Sequence, residues 1–201
     1  MIKISKLCIH PATIFVFFAV IYTNFSLYTL IIFTSALFHE LGHILSIRAF
    51  GAKIFRIEIL PFGVNIVFDN SKLTYKKELY SALLGPLCNL FLAVIFLFGI
   101  NIHFCSYGFF ALFSNLSLSF LNLLPIKTLD GGVALECILC EHLPLYKALQ
   151  ICNTVSNVFF GILLFFSLVL LYATGFNISF LFICIYLFFC IYIKDSEKRA
   201  L

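Results

Sequence analysis

His39, Glu40 and His43 lie in the stretch TSALFHELGHILSIR, residues 34 to 48, which is otherwise almost wholly apolar. On a helix, residues four apart share a face, so both imidazoles can reach one ion. Neutral imidazole is a favoured zinc ligand. Two of them with one further protein ligand leave a position open for water. Glu40 stands one residue round the helix, within reach of a proton on that water. Zinc lowers the pKa of bound water to about 7, which makes a hydroxide nucleophile available near neutral pH. The plainer alternative is a polar patch that joins helices by hydrogen bonds. Insertion scales set the cost of an ionised acid at mid-membrane on the order of 2.5–3.5 kcal/mol, which favours a working site.

A third ligand is sought in NLLPIKTLDGG, residues 122 to 132. Pro125 should end the helix before it and leave Asp130 to turn back towards the metal. Gly131 and Gly132 permit close backbone approach. Irregular backbone at membrane depth is tolerated only inside protein or beside a water-filled cavity, which suits an active site. The alternative is an ordinary solvated aspartate in a loop. A membrane zincin with a glutamate as third ligand would use Glu136 instead.

The elements that must position these groups follow from composition. The chain has 201 residues, 63% hydrophobic and 11% charged, where soluble domains carry about 25% charge. It is therefore an integral membrane protein. Leu7 to Ile47 holds Glu40 as its only charged residue, and Leu79 to Ile126 and Leu149 to Ile193 hold none. Each run is about twice the roughly 20 residues that one span needs. Turns are expected at TNFS (23–26), GINIHFCSYG (99–108) and YATGFN (172–177). The expectation is one all-α membrane domain over residues 1–201, with six spans near 10–25, 27–48, 79–98, 107–125, 149–171 and 177–193. A short membrane-associated β-hairpin accompanies them: KIFRIEI and VNIVF flank Pro61, Phe62 and Gly63. Such a hairpin either closes the fold at the lipid surface or holds an extended peptide by strand addition.

With six spans, all thirteen Lys and Arg residues fall on one side of the membrane. The positive-inside rule makes that side cytoplasmic, with both termini there. The net charge of +4 is thus a topology signal. The bases are dispersed and lack a nucleic-acid-binding motif, so the partner they imply is the lipid bilayer. The first apolar segment lacks a small-x-small cleavage pattern and reads as a span, not a signal peptide. Of the eight cysteines only Cys105 lies in a non-cytoplasmic turn, so no disulfide framework is implied. Cys137 and Cys140 in ECILCEH form a lone C-x-x-C, which at helical spacing reads as a packed helix face. Arg48 marks the cytoplasmic end of its span. At 1.5 Å per residue His43 lies about 7.5 Å deeper and His39 about 13.5 Å. No feature of the sequence sets an oligomeric state.

These motifs together resemble the site-2 protease family of intramembrane zinc metalloproteases, peptidase family M50. They are most similar to its small branch typified by stage IV sporulation protein FB. HELGH at 39–43 matches the family's zinc and general-base motif. NLLPIKTLDGG matches its N-x-x-P…LDG motif, which implies that Asp130 is the third zinc ligand and that Asn122 helps to position substrate or the oxyanion. LLGPLCN at 83–89 resembles its G-P-x-x-N, with Gly85, Pro86 and Asn89. SIRAFGAKIFRIEILPFG at 46–63 is similar to its membrane-associated strands. The resemblance covers about residues 8 to 193. It implies one zinc ion per chain held by His39, His43 and Asp130, with Glu40 as general base. It also implies a membrane-protein or membrane-tethered substrate in a regulated proteolytic step, and a bacterial cell membrane as the location. Only KDSEKRAL follows Ile193, which leaves no room for the CBS or PDZ domains of other branches. The residues before LDG read Lys127-Thr128, where the family is usually proline-rich. The non-enzymatic rival is a catalytically silent membrane binding or assembly factor that retains the motif.

The one-sided bases generate a test. Reporter fusions after Lys77, Lys147 and Arg199 are expected to read cytoplasmic, and those near Ser26, Ser106 and Thr174 to read outside. A cytoplasmic signal at Ser106 would break the six-span arrangement.

Overall fold

A computed structural model describes residues 2–4, 7–9, 11, 13–15, 18, 22, 26–60, 63–69, 73–102, 105–174 and 179–199. The first expected span, 10–25, and the expected hairpin turn at Pro61-Phe62 lie largely outside the described residues. The chain divides into two compact units, Met1–Leu121 and Asn122–Leu201.

The first unit begins with β1 (Ile2–Ile4) and β2 (Leu7–Ile9), followed by α1 (Leu27–Ala49). Ser26 caps α1 by accepting from the Thr29 N–H at 3.4 Å. The helix stops where the sequence reads Phe50-Gly51-Ala52. Gly51 takes φ +80°, its N–H donates to Arg48 O at 3.0 Å, and Ala52 N–H donates to Ile47 O at 3.1 Å. Those two bonds are a Schellman closure, and a left-handed residue there favours glycine. The accompanying apolar contact is present: Ile47, Ala52 and Ile54 form a buried cluster with Ile44, Ile57 and Ile66 packed on it. The helix terminus is thereby fixed to the sheet that follows.

That sheet contains β3 (Ile54–Leu60) and β4 (Gly63–Phe68), in the order β1-β2-β3-β4. β3 and β4 pair antiparallel with Ile57 opposite Ile66, which is the hairpin expected from the β-branched run. The sequence reading did not anticipate β1 and β2. β2 pairs parallel with β3, Leu7 opposite Ile57, and β1 folds antiparallel onto β2. Three-residue strands carry too little alternation to stand out beside a long apolar run.

The unit continues with α2 (Tyr75–Ile102) and α3 (Ser106–Asn122). α2 exceeds its expected span at both ends. Lys76, Lys77 and Glu78 fall in its first turn instead of before it, and its far end absorbs part of the expected turn at 99–108. α3 ends three residues before Pro125, since the residue preceding a proline is driven out of helical geometry. The buried faces of these helices are small or polar: Ser35, His39, Gly42 and Ser46 on α1, and Ser81, Ala82, Gly85, Pro86 and Asn89 on α2. Their outward faces carry exposed Phe33, Leu37, Phe91, Phe98 and Phe113. Large apolar residues outside and small residues inside is the pattern of helices packed in lipid.

In the second unit a loop leads from α3 into α4 (Asp130–His142), then α5 (Leu145–Ala173) and α6 (Ser179–Arg199). The sequence reading placed ECILCEH, 136–142, on a packed helix face; the helix extends from there back to Asp130. Cys137 is buried on α4, as a packed helix face requires. Among the described residues, three helices are long and apolar enough to cross a membrane: α1, α2 through Ile100, and α5.

Gly42 sets how closely α1 and α2 approach. A Cβ there would lie 2.7 Å from Leu84 O and 2.9 Å from Cys88 Sγ. Gly42→Ala is expected to destabilise the protein by about 1–3 kcal/mol, as overpacking does. The check is a lowered denaturation midpoint in detergent. Gly99→Ala, with nothing within 4 Å of the new Cβ, is expected to leave it unchanged or raise it slightly.

Candidate metal centre

His39 and His43 sit one turn apart on α1, facing α2. Their Nε2 atoms are 3.2 Å apart. His43 Nδ1 lies 2.8 Å from the backbone carbonyl of Ser81. A carbonyl only accepts, so His43 carries its proton on Nδ1. Pro86 supplies no N–H and so removes one helical bond from the turn of α2 that holds Ser81.

His39 Nδ1 lies 2.7 Å from Asn89 Oδ1. The Asn89 amide is oriented by its other end, since its Nδ2 donates to Ser35 O at 3.0 Å and to Asn115 Oδ1 at 2.8 Å. Its oxygen therefore faces His39, which must donate from Nδ1. Both Nε2 atoms consequently present lone pairs towards one another. Two lone pairs at 3.2 Å repel unless positive charge lies between them. Tetrahedral zinc with Zn–N bonds near 2.0–2.1 Å separates its nitrogens by about 3.3 Å. The pair fits that ion.

Glu40 is half-buried and follows His39 by one residue on α1. Around the histidines the packing is tight. A Cβ on Gly85 would collide with Nε2 and Cε1 of His43, so the glycine makes room for the ring. Ser46 Oγ lies 2.8 Å from Ser81 Oγ and ties the C-terminal end of α1 to α2.

In the second unit, Asp130 is the first residue of α4, where a carboxylate is favoured by the helix dipole. Gly131 and Gly132 follow because the loop folds back on this turn. A Cβ on Gly131 would strike Leu123 O, and one on Gly132 would strike Ile126 O. Ile126 is fully buried, and the Lys127 N–H donates to Ser156 Oγ on α5 at 3.0 Å. The Lys127-Thr128 pair that departs from the family pattern thus occupies an ordered turn. Glu136 shares α4 with Asp130 but stands six residues on, about 9 Å along the axis and 120° round. The two acids cannot occupy one place. Asn122 closes α3 and is half-buried.

Sequence reasoning missed Asn115, Ser35 and Ser81. The available signal was an asparagine in the middle of a charge-free helix, and Ser35 standing four residues before His39.

The chain is 30% identical over 145 residues to a zinc metalloprotease of Methanocaldococcus jannaschii, covering 70% of this chain and 42% of that protein. It is 36% identical over 132 residues to stage IV sporulation protein FB of Bacillus subtilis, covering 64% of this chain and 45% of that one. The matches thus span less than half the length of either relative. A site-2 protease structure from M. jannaschii superposes with a TM-score of 0.67 at 24% identity, covering 94% of this chain and 91% of that one. No protein-family model matches. The chain is homologous to these proteins and shares the site-2 protease fold, so the resemblance read from its motifs is borne out.

The closeness of Gly85 to His43 makes a prediction. With His43 as a zinc ligand, Gly85→Ala is expected to weaken zinc binding about tenfold or more, because it displaces that ring. Competition of the purified protein with a chelator measures it. Unchanged affinity would separate Gly85 from the metal centre.

Proposed function

We infer that this chain is a member of the site-2 protease family and acts as a zinc-dependent endopeptidase on membrane-embedded or membrane-tethered proteins. The observation that carries the reading is the pair of imidazoles with both Nε2 lone pairs turned to one point, 3.2 Å apart, on an apolar helix. Homology to a protein named zinc metalloprotease supports the metal and the reaction class.

His39, His43 and Asp130 would hold one zinc ion, two imidazoles and a carboxylate being donors that suit it. Bound zinc supplies a Lewis acid that polarises a carbonyl oxygen and acidifies a water. Glu40 removes a proton from the attacking water and returns it to the departing amine, so one carboxylate serves as base and then acid. Asn122 steadies the substrate or the charge that develops on its carbonyl oxygen. Asn89 and the Ser81 carbonyl hold the two imidazoles in the tautomer that offers Nε2.

The chain crosses the bilayer six times with both termini in the cytoplasm of a bacterial cell. Its substrate carries a transmembrane segment or membrane anchor, and cleavage is one step of a regulated proteolytic sequence. A helical substrate hides its carbonyls, so an extended stretch must form before the scissile bond reaches Glu40. The edge of the sheet offers a place to hold that stretch.

Two variants test the reading by failing differently. Glu40→Gln keeps shape and hydrogen bonding but cannot accept a proton, so it is expected to retain zinc and lose cleavage. Asp130→Ala is expected to lose zinc as well, because two imidazoles make a poor tetrahedral site. Zinc per purified chain and cleavage of a co-expressed single-span protein are the measurements. Near-parental cleavage by Glu40→Gln would overturn the protease reading. Normal zinc in Asp130→Ala would reassign the third ligand, with Glu136 tested next.

A further inference from the structure

The hydrogen bonds behind His39 do not stop at Asn89. Asn89 and Asn115 are both fully buried, on α2 and α3, and Ser35 beside them on α1 is nearly so. Asn115 Nδ2 donates to its own helix at Ala111 O, 2.8 Å, and to Ser35 Oγ, 3.0 Å. Ser35 Oγ in turn donates to Ile31 O at 2.8 Å. No charged side chain takes part in these bonds. Each group is defined by the one behind it.

The direction of each bond can be read from the backbone inwards. Ala111 O accepts only, so the nitrogen of Asn115 must face it. Asn115 Oδ1 is then the atom presented to Asn89 and must meet an N–H there. This agrees with the Ser35 carbonyl, which demands the same orientation of Asn89. Asn89 Oδ1 is left for His39, which donates from Nδ1 and keeps Nε2 unprotonated. In water such a preference would be weak. In a buried apolar setting an inverted amide would set oxygen against oxygen, with nothing to relieve it.

We propose that Asn115, with Ser35, is a positioning residue for the metal centre: it locks the Asn89 amide and so commits His39 to the tautomer that binds zinc through Nε2. The inference rests on His39 being a zinc ligand, as the proposed function has it. Asn115 touches neither substrate nor metal. Its effect reaches the site through the Asn89 amide, directly and by way of Ser35, whose carbonyl holds the same amide, so it should appear in metal affinity. Neither Asn115 nor Ser35 belongs to the H-E-x-x-H, G-P-x-x-N or LDG motifs.

The test is a double-mutant cycle on zinc affinity, measured by chelator competition on the full chain in detergent. Removing an outer partner of a ligating histidine typically weakens metal binding 10- to 100-fold. Asn89→Leu is expected in that range and Asn115→Leu near its lower end, about tenfold. Because the two act in series, the double variant should bind zinc no more weakly than Asn89→Leu alone. Affinity of Asn115→Leu within twofold of the parent, or strictly additive losses, would each overturn the proposal.

A second measurement needs no variant to fold. The ¹⁵N shifts of histidine-labelled, zinc-depleted parent should show His39 protonated on Nδ1. An Nε2–H tautomer there would overturn the proposal. Failure of the underlying reading looks different: a parent chain that binds no zinc through His39 and His43 removes the metal centre itself, whatever the amides do.

Discussion

Two imidazole lone pairs aimed at each other across 3.2 Å make an arrangement that an apolar helix bundle does not reach by default. Each ring must be prevented from turning and each proton kept on the far nitrogen. In lipid no water is available for either task. The protein uses a main-chain carbonyl for His43 and a buried side-chain amide for His39. Much of the packing in the first unit follows from bringing those two acceptors within reach. α2 must lie close enough to α1 for Ser81 O to meet Nδ1. Hence the small residues where the helices touch: Gly42 against Leu84 O, Gly85 against the His43 ring, and Ser46 bonded to Ser81. In a membrane, burying larger apolar side chains gains little over lipid, so close approach and interhelical hydrogen bonds set the geometry.

The same constraint accounts for α3. A helix with no charge and an asparagine at its centre would be better served in lipid by leucine. Asn115 is tolerated because all the polar atoms of its amide find partners, two of them on other helices. Ser119 adds a bond from its hydroxyl to the carbonyl of Pro86 in α2, at 3.0 Å. The bonds along α3 therefore hold α2 at two points about one turn apart, Asn89 itself and Pro86 three residues before it. A site that must keep two nitrogens within tenths of an ångström benefits from supports on separate helices.

How much of this was legible beforehand depended on whether the signal lay within one element or between two. The histidine pair was readable because four-residue spacing on a helix fixes geometry locally, and the end of α1 was readable within a residue from Arg48. The β-branched run gave the β3–β4 hairpin. What escaped were relations between elements. β1 and β2 are three residues each and gain their strand character from pairing with β3, which no local pattern encodes. Asn89 was flagged only by resemblance, and its duty as acceptor from His39 depends on the side-chain direction of a residue fifty positions away. Asn115 and Ser35 looked like incidental polar residues for the same reason. The helix at 130–142 was readable from the spacing in ECILCEH, but its start was not: LDGG reads as a loop until the loop's own carbonyls are seen packed against its two glycines.

That turn also sets the aspartate apart from the glutamate six residues on. Asp130 has a short side chain on the first residue of α4, where the helix dipole favours negative charge. Glu136 sits inside the helix, where the backbone donors are already used and the dipole gives no help. Its longer side chain would also have more rotamer freedom to lose on binding. The two glycines after Asp130 then set where the carboxylate stands. With no Cβ at 131 or 132, the carbonyls of Leu123 and Ile126 come against the first turn of α4. The Ser156 bond to Lys127 holds the loop from the other side. The aspartate is thus carried on a helix end clamped by its own loop, a mounting that leaves its side chain little freedom of position.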